Sequence, residues 1–376
     1  MQALGAGLLQ ANAIAIIVAA AAEARRGRAL GLQSAAQAVG LSAGPALGGF
    51  LIAALGWRWV FWVNLPVGLL GAVLGLLVLP RTERRPGAAT PNAATPGSAT
   101  FDLAGAALLV PSLGLLMFAL NEAGHAGFSS PLLIGPLLVG LLLLIGFVRR
   151  EQRTISPLID LGLFRSAVFV AGNAAGLLSY ATLFGAFFVL PFVLERAYGD
   201  SSLTAGLRLT VIPAALGLVA PLSGALYDRL GARFLTVSGM VAALVGLLAL
   251  SFALEAGRLT LATTSLALFG IGQGLFTAPN NSAIMASAAA GQSGQAGGVL
   301  FVMRSLGMSL GISLASVILA WQLPMLPGWP HATVGIPADV LVRGAVASFI
   351  VFAALAGVAA LLCFVRAEHD ASRTVA

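Results

Sequence analysis

Eleven long apolar runs fill most of the chain, and its charged residues, 9% of the total, fall mainly in the gaps between them. A hydrocarbon core about 30 Å thick needs roughly 20 consecutive apolar residues to be crossed as a helix, and only helices or closed barrels satisfy their backbone polar groups there. The runs have helical length and lack the alternation of barrel strands. We therefore predict an all-α, polytopic membrane protein that lies in the lipid bilayer and has about 11 transmembrane helices.

The predicted spans share helical length and a low content of charge. They cover roughly residues 1–21, 32–54, 60–80, 103–121, 131–148, 168–194, 203–225, 234–254, 259–282, 297–321 and 340–365. Residues 81–100, which follow the third span, are rich in Pro, Ala, Thr and Gly, a composition typical of a flexible connector.

The arginines indicate which ends of the spans face the cytoplasm. When alternate gaps are assigned to opposite sides, fourteen arginines fall on one side and three on the other. The fourteen are Arg25, Arg26, Arg28, Arg81, Arg84, Arg85, Arg149, Arg150, Arg153, Arg165, Arg229, Arg233, Arg366 and Arg373. Because cytoplasmic loops are enriched in Arg and Lys, we expect this side, including the C-terminus, to be cytoplasmic and the protein to lie in the inner cell membrane. The net charge of +7 then reflects topology, and no nucleic-acid partner is expected.

Residues that usually carry metal or covalent chemistry are scarce. The single cysteine, Cys363, has no partner for a disulfide, and His125, His331 and His369 lie in predicted loops or the tail. No Ser/His pair or metal-ligand spacing occurs within the predicted spans. We therefore expect no metal, no cofactor and no enzymatic activity.

The most specific local motif lies in the second predicted span. Gly40, Gly44 and Gly48 recur every four residues, so they line one helix face and would let a neighbouring backbone approach closely, with Gly49 beside them. Pro45 removes a helical hydrogen bond and permits a bend. A plain packing seam of small residues is the alternative interpretation.

Residues 40–49 closely resemble the antiporter signature in the fifth helix of drug and proton exchangers of the major facilitator superfamily. The flanks are similar too: residues 23–31 look like the cytoplasmic loop before that helix, and residues 57–66 like the outer turn that follows it in the fourteen-helix branch. The resemblance implies a partial major facilitator fold, a small-molecule substrate and a proton gradient as the energy source.

A second motif supports this resemblance. Residues 224–233 are similar to the superfamily's inter-helix loop, with Gly224, Asp228, Arg229, Gly231 and Arg233 at the matching positions. Asp228 could accept charge-assisted hydrogen bonds across the interface between the two repeats and form a latch that breaks as they rock. A solvated Asp in a loop anchored by arginine is the alternative.

Polar residues inside predicted spans are candidates for the cavity. Arg208 would face the central cavity or a carboxylate such as Glu195, and Arg304 is either structural or cavity-lining. Residues 270–311 look like the penultimate helix pair of the fourteen-helix exporters, and Gly307 and Gly311, four residues apart, are expected to form a close-packing strip. Within them, Gln273, Asn280 and Asn281 either line the substrate path or bond between helices, and no Asp or Glu lies at mid-depth in any span.

The resemblance divides the chain into six parts. They are the remainder of an N-terminal bundle with three spans (1–80), a cytoplasmic linker (81–102), an extra helix pair (103–148), a cytoplasmic loop (149–167), a C-terminal bundle of six helices (168–366) and a cytoplasmic tail (367–376). About three and a half helices of the family pattern, with an early acidic residue, would then precede Met1.

We predict a secondary active transporter that exports hydrophobic or amphipathic small molecules by alternating access, with proton coupling. The alternative hypothesis is a truncated, transport-incompetent fragment of such an exporter, because a methionine stands at the start of an apolar helix.

Overall fold

The computed structural model describes residues 5, 40, 44, 47–78, 102–126, 131–154, 157–288, 292–322 and 337–374. Over these residues the fold is all-α, with no strand. After a helical stretch at 47–55, the helices are α1 (Trp59–Trp62), α2 (Asn64–Val78), α3 (Leu103–Ala126), α4 (Pro131–Glu151), α5 (Ala167–Arg196), α6 (Ser202–Glu255), α7 (Leu259–Ala286), α8 (Ser293–Trp321) and α9 (Ala338–Thr374), with a 3-10 helix, η1 (Leu161–Arg165), before α5.

Nine segments within the described ranges are long and apolar enough to cross a bilayer. They coincide with the third to eleventh predicted spans and confirm the all-α polytopic fold. Most of the first two predicted spans, apart from residues 5, 40, 44 and 47–54, and most of the linker 81–102 lie outside the described residues. Helix α9 continues to Thr374, so the predicted tail is helical over most of its length.

Helix α6 contains two spans, Ser202–Gly224 and Arg229–Glu255, which form an antiparallel hairpin. Its backbone is non-helical at Gly231, where φ is 75° and ψ is 159°, a conformation that glycine adopts without a Cβ penalty. The first arm runs parallel to α7, since Ile212 approaches Gly270 and Ser223 donates to the Gly274 carbonyl. The second arm runs antiparallel to it, since positions 239 and 246 meet positions 272 and 269.

The core of the bundle lies among α5, α6, α7 and α9. Its fully buried side chains include Leu190 of α5, Leu247 of α6, Phe269 of α7 and Phe352 of α9. Helix α8 packs along α5 in the same direction, with Gly307 against the Leu177 carbonyl and Gly311 against the Ala181 carbonyl. A Cβ at Gly307 would lie 2.3 Å from the Leu177 carbonyl oxygen, so the close-packing strip expected at these glycines is confirmed.

Helices α3 and α4 form an antiparallel pair. The Ser112 hydroxyl donates to the Gly140 carbonyl at 3.0 Å near the middle of the pair. At one end, Arg150 donates to both carboxylate oxygens of Asp102 at 2.7–3.0 Å, and Asp102 also accepts from the Gly105 amide. Helix α3 packs against α8, which joins the pair to the bundle.

The bundle end at which α4 ends and α5 begins carries most of the arginines and is called the arginine-rich end below. The segment before α5 is fixed there, because Gln292 and Gln295 at the start of α8 hydrogen-bond to Asp160 at 2.5 Å and 2.9 Å. Leu163 of η1 packs in a small second core with Phe169 and other residues of α5, α7 and α8. Over its described residues, 149–154 and 157–167, the predicted loop therefore forms a cap across the ends of these helices.

Candidate functional site

A narrow cleft lies between α5, α7 and α8, further from the arginine-rich end than the second core. Its lining contains polar, aromatic and aliphatic side chains and comprises Asn173, Gly176, Tyr180, Phe276, Thr277, Asn280, Asn281, Leu300, Met303 and Arg304. Asn173, Gly176 and Tyr180 lie three, four and seven residues apart, which places them on one face of α5. The cleft is a candidate binding site because it brings three amides and a guanidinium together within the membrane-spanning helices.

Arg304 contributes a positive charge to the cleft. It is half-buried near the middle of α8, and its guanidinium carbon lies 4.6 Å from the centroid of the Tyr180 ring. A cation over an aromatic face is attracted by the ring's negative face. Over the described ranges Arg304 forms no ion pair. The structure thus places Arg304 at this cleft, and its role in lining the transport cavity stays a prediction.

Asn173 is a residue of the cleft that sequence reasoning missed. Its side chain is 4% exposed, and its Nδ2 donates to the Phe169 carbonyl at 2.9 Å. Its Oδ1 is buried and has no hydrogen-bond partner within the described structure. Buried polar atoms are normally paired, so this one indicates a missing partner. The sequence signal that could have found it is an amide side chain inside an apolar run. Sequence reasoning overlooked Asn173 because Asn is not ionisable and carries no charge.

Gln273 joins α7 to α5 through three contacts. Its Oε1 accepts from the Ser179 hydroxyl at 2.6 Å, and its Nε2 donates to the Thr182 hydroxyl at 3.0 Å and the Ser179 carbonyl at 3.3 Å. Asn280, on the same face, donates to the Gly172 carbonyl at 3.0 Å. Both side chains are 1% exposed and bond between helices, and Asn280 also lines the cleft, as the half-buried Asn281 does.

Arg208 lies away from the cleft, at the end of the bundle opposite the arginine-rich end. Its Nε donates to Asp200 at 2.8 Å, and its Nη1 donates to the Thr263 hydroxyl at 2.7 Å and the Leu259 carbonyl at 3.3 Å. The expectation of a carboxylate partner holds, but the partner is Asp200, in the short turn before α6, instead of Glu195. Arg208 does not line this cleft, and its place at a central cavity between the two bundles stays a prediction.

The glycines of the antiporter-like segment are described only in part. A Cβ at Gly49 would lie 2.4 Å from the carbonyl oxygen of Ser202, so this position touches the start of α6. Gly40, Gly44 and Gly48 have no described neighbour within 4 Å, and Pro45 lies outside the described residues. The role proposed for this motif stays a prediction.

The loop motif at 224–233 forms the tip of the α6 hairpin. Gly224, Arg229 and Gly231 are exposed, and the Arg233 guanidinium lies 4.2 Å from the centroid of the Phe364 ring of α9. The side chain of Asp228 lies outside what the structure describes. The latch therefore stays a prediction, while the turn between two spans that the motif indicated is present at Gly231.

Carboxylates are placed only near the ends of the nine described spans. Glu122, Glu151 and Glu255 are the last residues of their spans, and Glu195 and Asp339 lie one residue from an end. No group of three or more His, Cys, Asp or Glu that could hold a metal occurs in the described part of the chain. The cleft therefore offers amides, a hydroxyl and a guanidinium, which can bind a ligand by hydrogen bonds and charge.

Comparison with known proteins matches the Major Facilitator Superfamily model over residues 1–312. The chain is 32% identical over 322 residues to the riboflavin transporter RibZ of Clostridioides difficile, covering 86% of this chain and 67% of that protein. It is 34% identical over 328 residues to a multidrug resistance protein B homolog of Mycobacterium tuberculosis (86% and 58%). It is 29% identical over 322 residues to the tetracenomycin C resistance and export protein of Streptomyces glaucescens (85% and 58%).

The chain thus spans between 58% and 67% of the length of these relatives. The family match covers more than half of this chain and agrees with the all-α arrangement of membrane-spanning helices and with the resemblance noted in residues 40–49 and 224–233. The chain belongs to the Major Facilitator Superfamily.

Proposed function

We propose that the protein is a transporter, not an enzyme, that exports amphipathic small molecules from the cell and uses the proton gradient. The names of its relatives, a riboflavin transporter, a multidrug resistance protein and a tetracenomycin C export protein, support small organic cargo with aromatic rings. The observation that carries the proposal is the cleft, because it places a charge and several amides within the bilayer-spanning part of the bundle, where such groups are costly.

An aromatic row extends from this cleft along α5. The Tyr180 ring stacks on Phe184 with 6.3 Å between centroids, and Phe184 meets Phe187 at 6.1 Å. All three side chains are half-buried. An amphipathic molecule could rest its apolar rings on this row and its polar group in the cleft, which is the chemistry that pockets for organic ligands usually combine.

The coupling group is proposed to lie outside the nine described spans. Proton coupling requires a group that changes its charge as the site changes access, and a carboxylate at membrane depth is a common choice. Each Asp and Glu of the described spans lies at or next to an end. We therefore expect that neutralising Glu195, as in Glu195→Gln, leaves the dependence of transport on the proton gradient intact.

Transport is tested in inside-out vesicles from cells that produce the chain, loaded with an acidic interior, with the fluorescence of riboflavin retained in the vesicles as the signal, because riboflavin is uncharged and is the cargo named for one relative. Riboflavin should enter these vesicles faster than vesicles from cells without the protein, and nigericin, which collapses the pH difference, should abolish the excess. Equal uptake in both vesicle types would contradict export by this chain and favour the fragment hypothesis. Excess uptake that survives nigericin would contradict only the proton coupling and would leave the proposed export intact.

Topology in the inner cell membrane is tested with single cysteines in a Cys363→Ala background. Arg153 and Arg258 are both exposed arginines, and they lie at opposite ends of the described bundle. We expect a membrane-impermeant maleimide to label Arg258→Cys in spheroplasts and to label Arg153→Cys only after lysis, which would place the arginine-rich end and the C-terminus in the cytoplasm. Labelling of both cysteines in intact spheroplasts would contradict this orientation.

A further inference from the structure

We propose that the cleft is a selective subsite that accepts a hydroxyl or N–H donor at Asn173 and an anionic or carbonyl oxygen at Arg304, so that elongated aromatic acids bind in preference to aromatic cations. The proposal rests on the proposed export function only in treating the ligand as transported cargo. It starts from one unusual atom, the buried Oδ1 of Asn173, which lacks a partner in the described structure.

The Oδ1 of Asn173 can accept a hydrogen bond from a ligand. The Nδ2 of the same amide is engaged with the Phe169 carbonyl, one turn earlier in α5, and this contact fixes which atom faces the cleft. A buried carbonyl oxygen without a partner destabilises the protein, and a ligand that supplies a donor recovers part of this free energy on binding. Such an oxygen is expected to favour a ligand hydroxyl over a methoxy group at the same position.

At the other end of the cleft, Arg304 offers hydrogen-bond donors and a positive charge, whereas Asn173 offers an acceptor. Its guanidinium carbon lies 4.6 Å from the centroid of the Tyr180 ring, and α5, α7 and α8 carry no Asp or Glu except Glu195, fifteen residues beyond Tyr180. A guanidinium has five N–H donors in one plane and no acceptor, so it favours an oxygen with negative charge and repels cations.

The spacing between these two groups sets the length of the ligand. Asn173 and Tyr180 are seven residues apart on one face of α5, which corresponds to roughly 10 Å along the helix. The cleft itself is so narrow that it admits little more than a water-sized group. A hydroxyl would therefore enter beside Asn173, while the rings lie towards Tyr180 and the acidic oxygen meets Arg304.

Three naphthalenes test this geometry with the full chain in lipid nanodiscs, followed by their own fluorescence. They are 6-hydroxy-2-naphthoate, 6-methoxy-2-naphthoate, which lacks the donor, and 2-(aminomethyl)naphthalene, which is a cation. We expect the hydroxy acid to bind about 2–13 times more tightly than the methoxy acid, the range of one neutral hydrogen bond, and the cation to bind more weakly than either.

The variant Asn173→Leu is nearly isosteric and removes the acceptor. The preference for hydroxyl over methoxy should disappear in this variant, whereas Asn64→Leu, at an exposed position of α2, should keep it. The thermal midpoint of the empty Asn173→Leu protein should not fall, because an unpartnered polar atom has been removed. A merely structural role for Asn173 would instead lower the midpoint and leave the preference unchanged, and that result would overturn the proposal.

The variant Arg304→Met should weaken binding of both acids by about 10-fold or more and should raise the relative affinity for the cation. The matched control is Arg343→Met, because Arg343 lies at the other end of the bundle and is 65% exposed in its pair with Asp339. Unchanged affinities in Arg304→Met, or no binding of the acids to the wild-type chain, would overturn the proposal. Because nanodisc binding needs no gradient, a failure of transport in vesicles would not affect these outcomes.

Discussion

The contact between α5 and α8 gives a prediction whose size can be worked from distances. A Cβ added at Gly311 would lie 2.0 Å from the carbonyl oxygen of Ala181, and 2.7 Å from its carbonyl carbon. Carbon and oxygen atoms without a bond rarely approach within about 3 Å, so Gly311→Ala would force the two helices apart by about 1 Å. Backbone atoms form this contact, so rotation of a side chain cannot relieve it.

Overpacking of a close interface costs about 1–3 kcal/mol. For a bundle of about 200 residues, each kcal/mol lowers the thermal midpoint by about 2–4 °C, so Gly311→Ala should melt roughly 2–12 °C below the wild type. The midpoint is measured in nanodiscs by the fluorescence of a thiol-reactive dye that reaches Cys363, which is buried in the folded bundle.

The matched control is Gly298→Ala in the same helix. This glycine is exposed, and a Cβ there meets no described atom within 4 Å. Gly298→Ala should therefore change only the helix propensity, and the thermal midpoint should equal that of the wild type or lie slightly above it. If both variants melted at the wild-type temperature, the close approach of α8 to α5 would not be present in the bilayer. If both melted equally early, the loss would come from helix α8 itself and not from the interface.

Three other substitutions separate the roles of buried polar groups. Gln273→Leu should destabilise the bundle by about 1–3 kcal/mol in thermal unfolding, because it removes the ties between α7 and α5, and an unchanged midpoint would contradict that role. Arg208→Met should lower the midpoint by leaving Asp200 unpaired but should leave naphthoate affinity unchanged, and weakened binding would contradict its placement away from the cleft. The Arg150 guanidinium, which is the main cause, holds the pKa of Asp102 below its usual value of 3.8. The stability that this pair contributes is therefore present above pH 3.8 and is lost as the pH falls through the lower pKa of the folded protein. The thermal midpoints of wild type and Asp102→Asn should differ at pH 7 and converge in acid.

Buried polar groups are where prediction from the sequence fell short. Arg208 and Arg304 both lie several residues inside apolar runs, and sequence reasoning left open for both whether they face a cavity. The structure separates them because Arg208 lies eight residues from Asp200 and pairs with it, whereas Arg304 faces α5 at Tyr180. Asn173 was missed because its importance comes from an atom that lacks a partner, and partners come from other helices.

Sequence alone determined the membrane-spanning segments, because a bilayer demands about 20 apolar residues per crossing and leaves charges at the ends. It also located the glycines at 307 and 311, since a four-residue repeat of small side chains has one principal use in such helices. Depth along a helix follows from counting residues at about 1.5 Å each. The direction in which a side chain faces does not, because helices that are apolar on all sides carry no periodic signal for their inner face. Only the packing of α5, α7 and α8 decided that Asn173, Tyr180 and Arg304 share one cleft and that Gln273 does not face it.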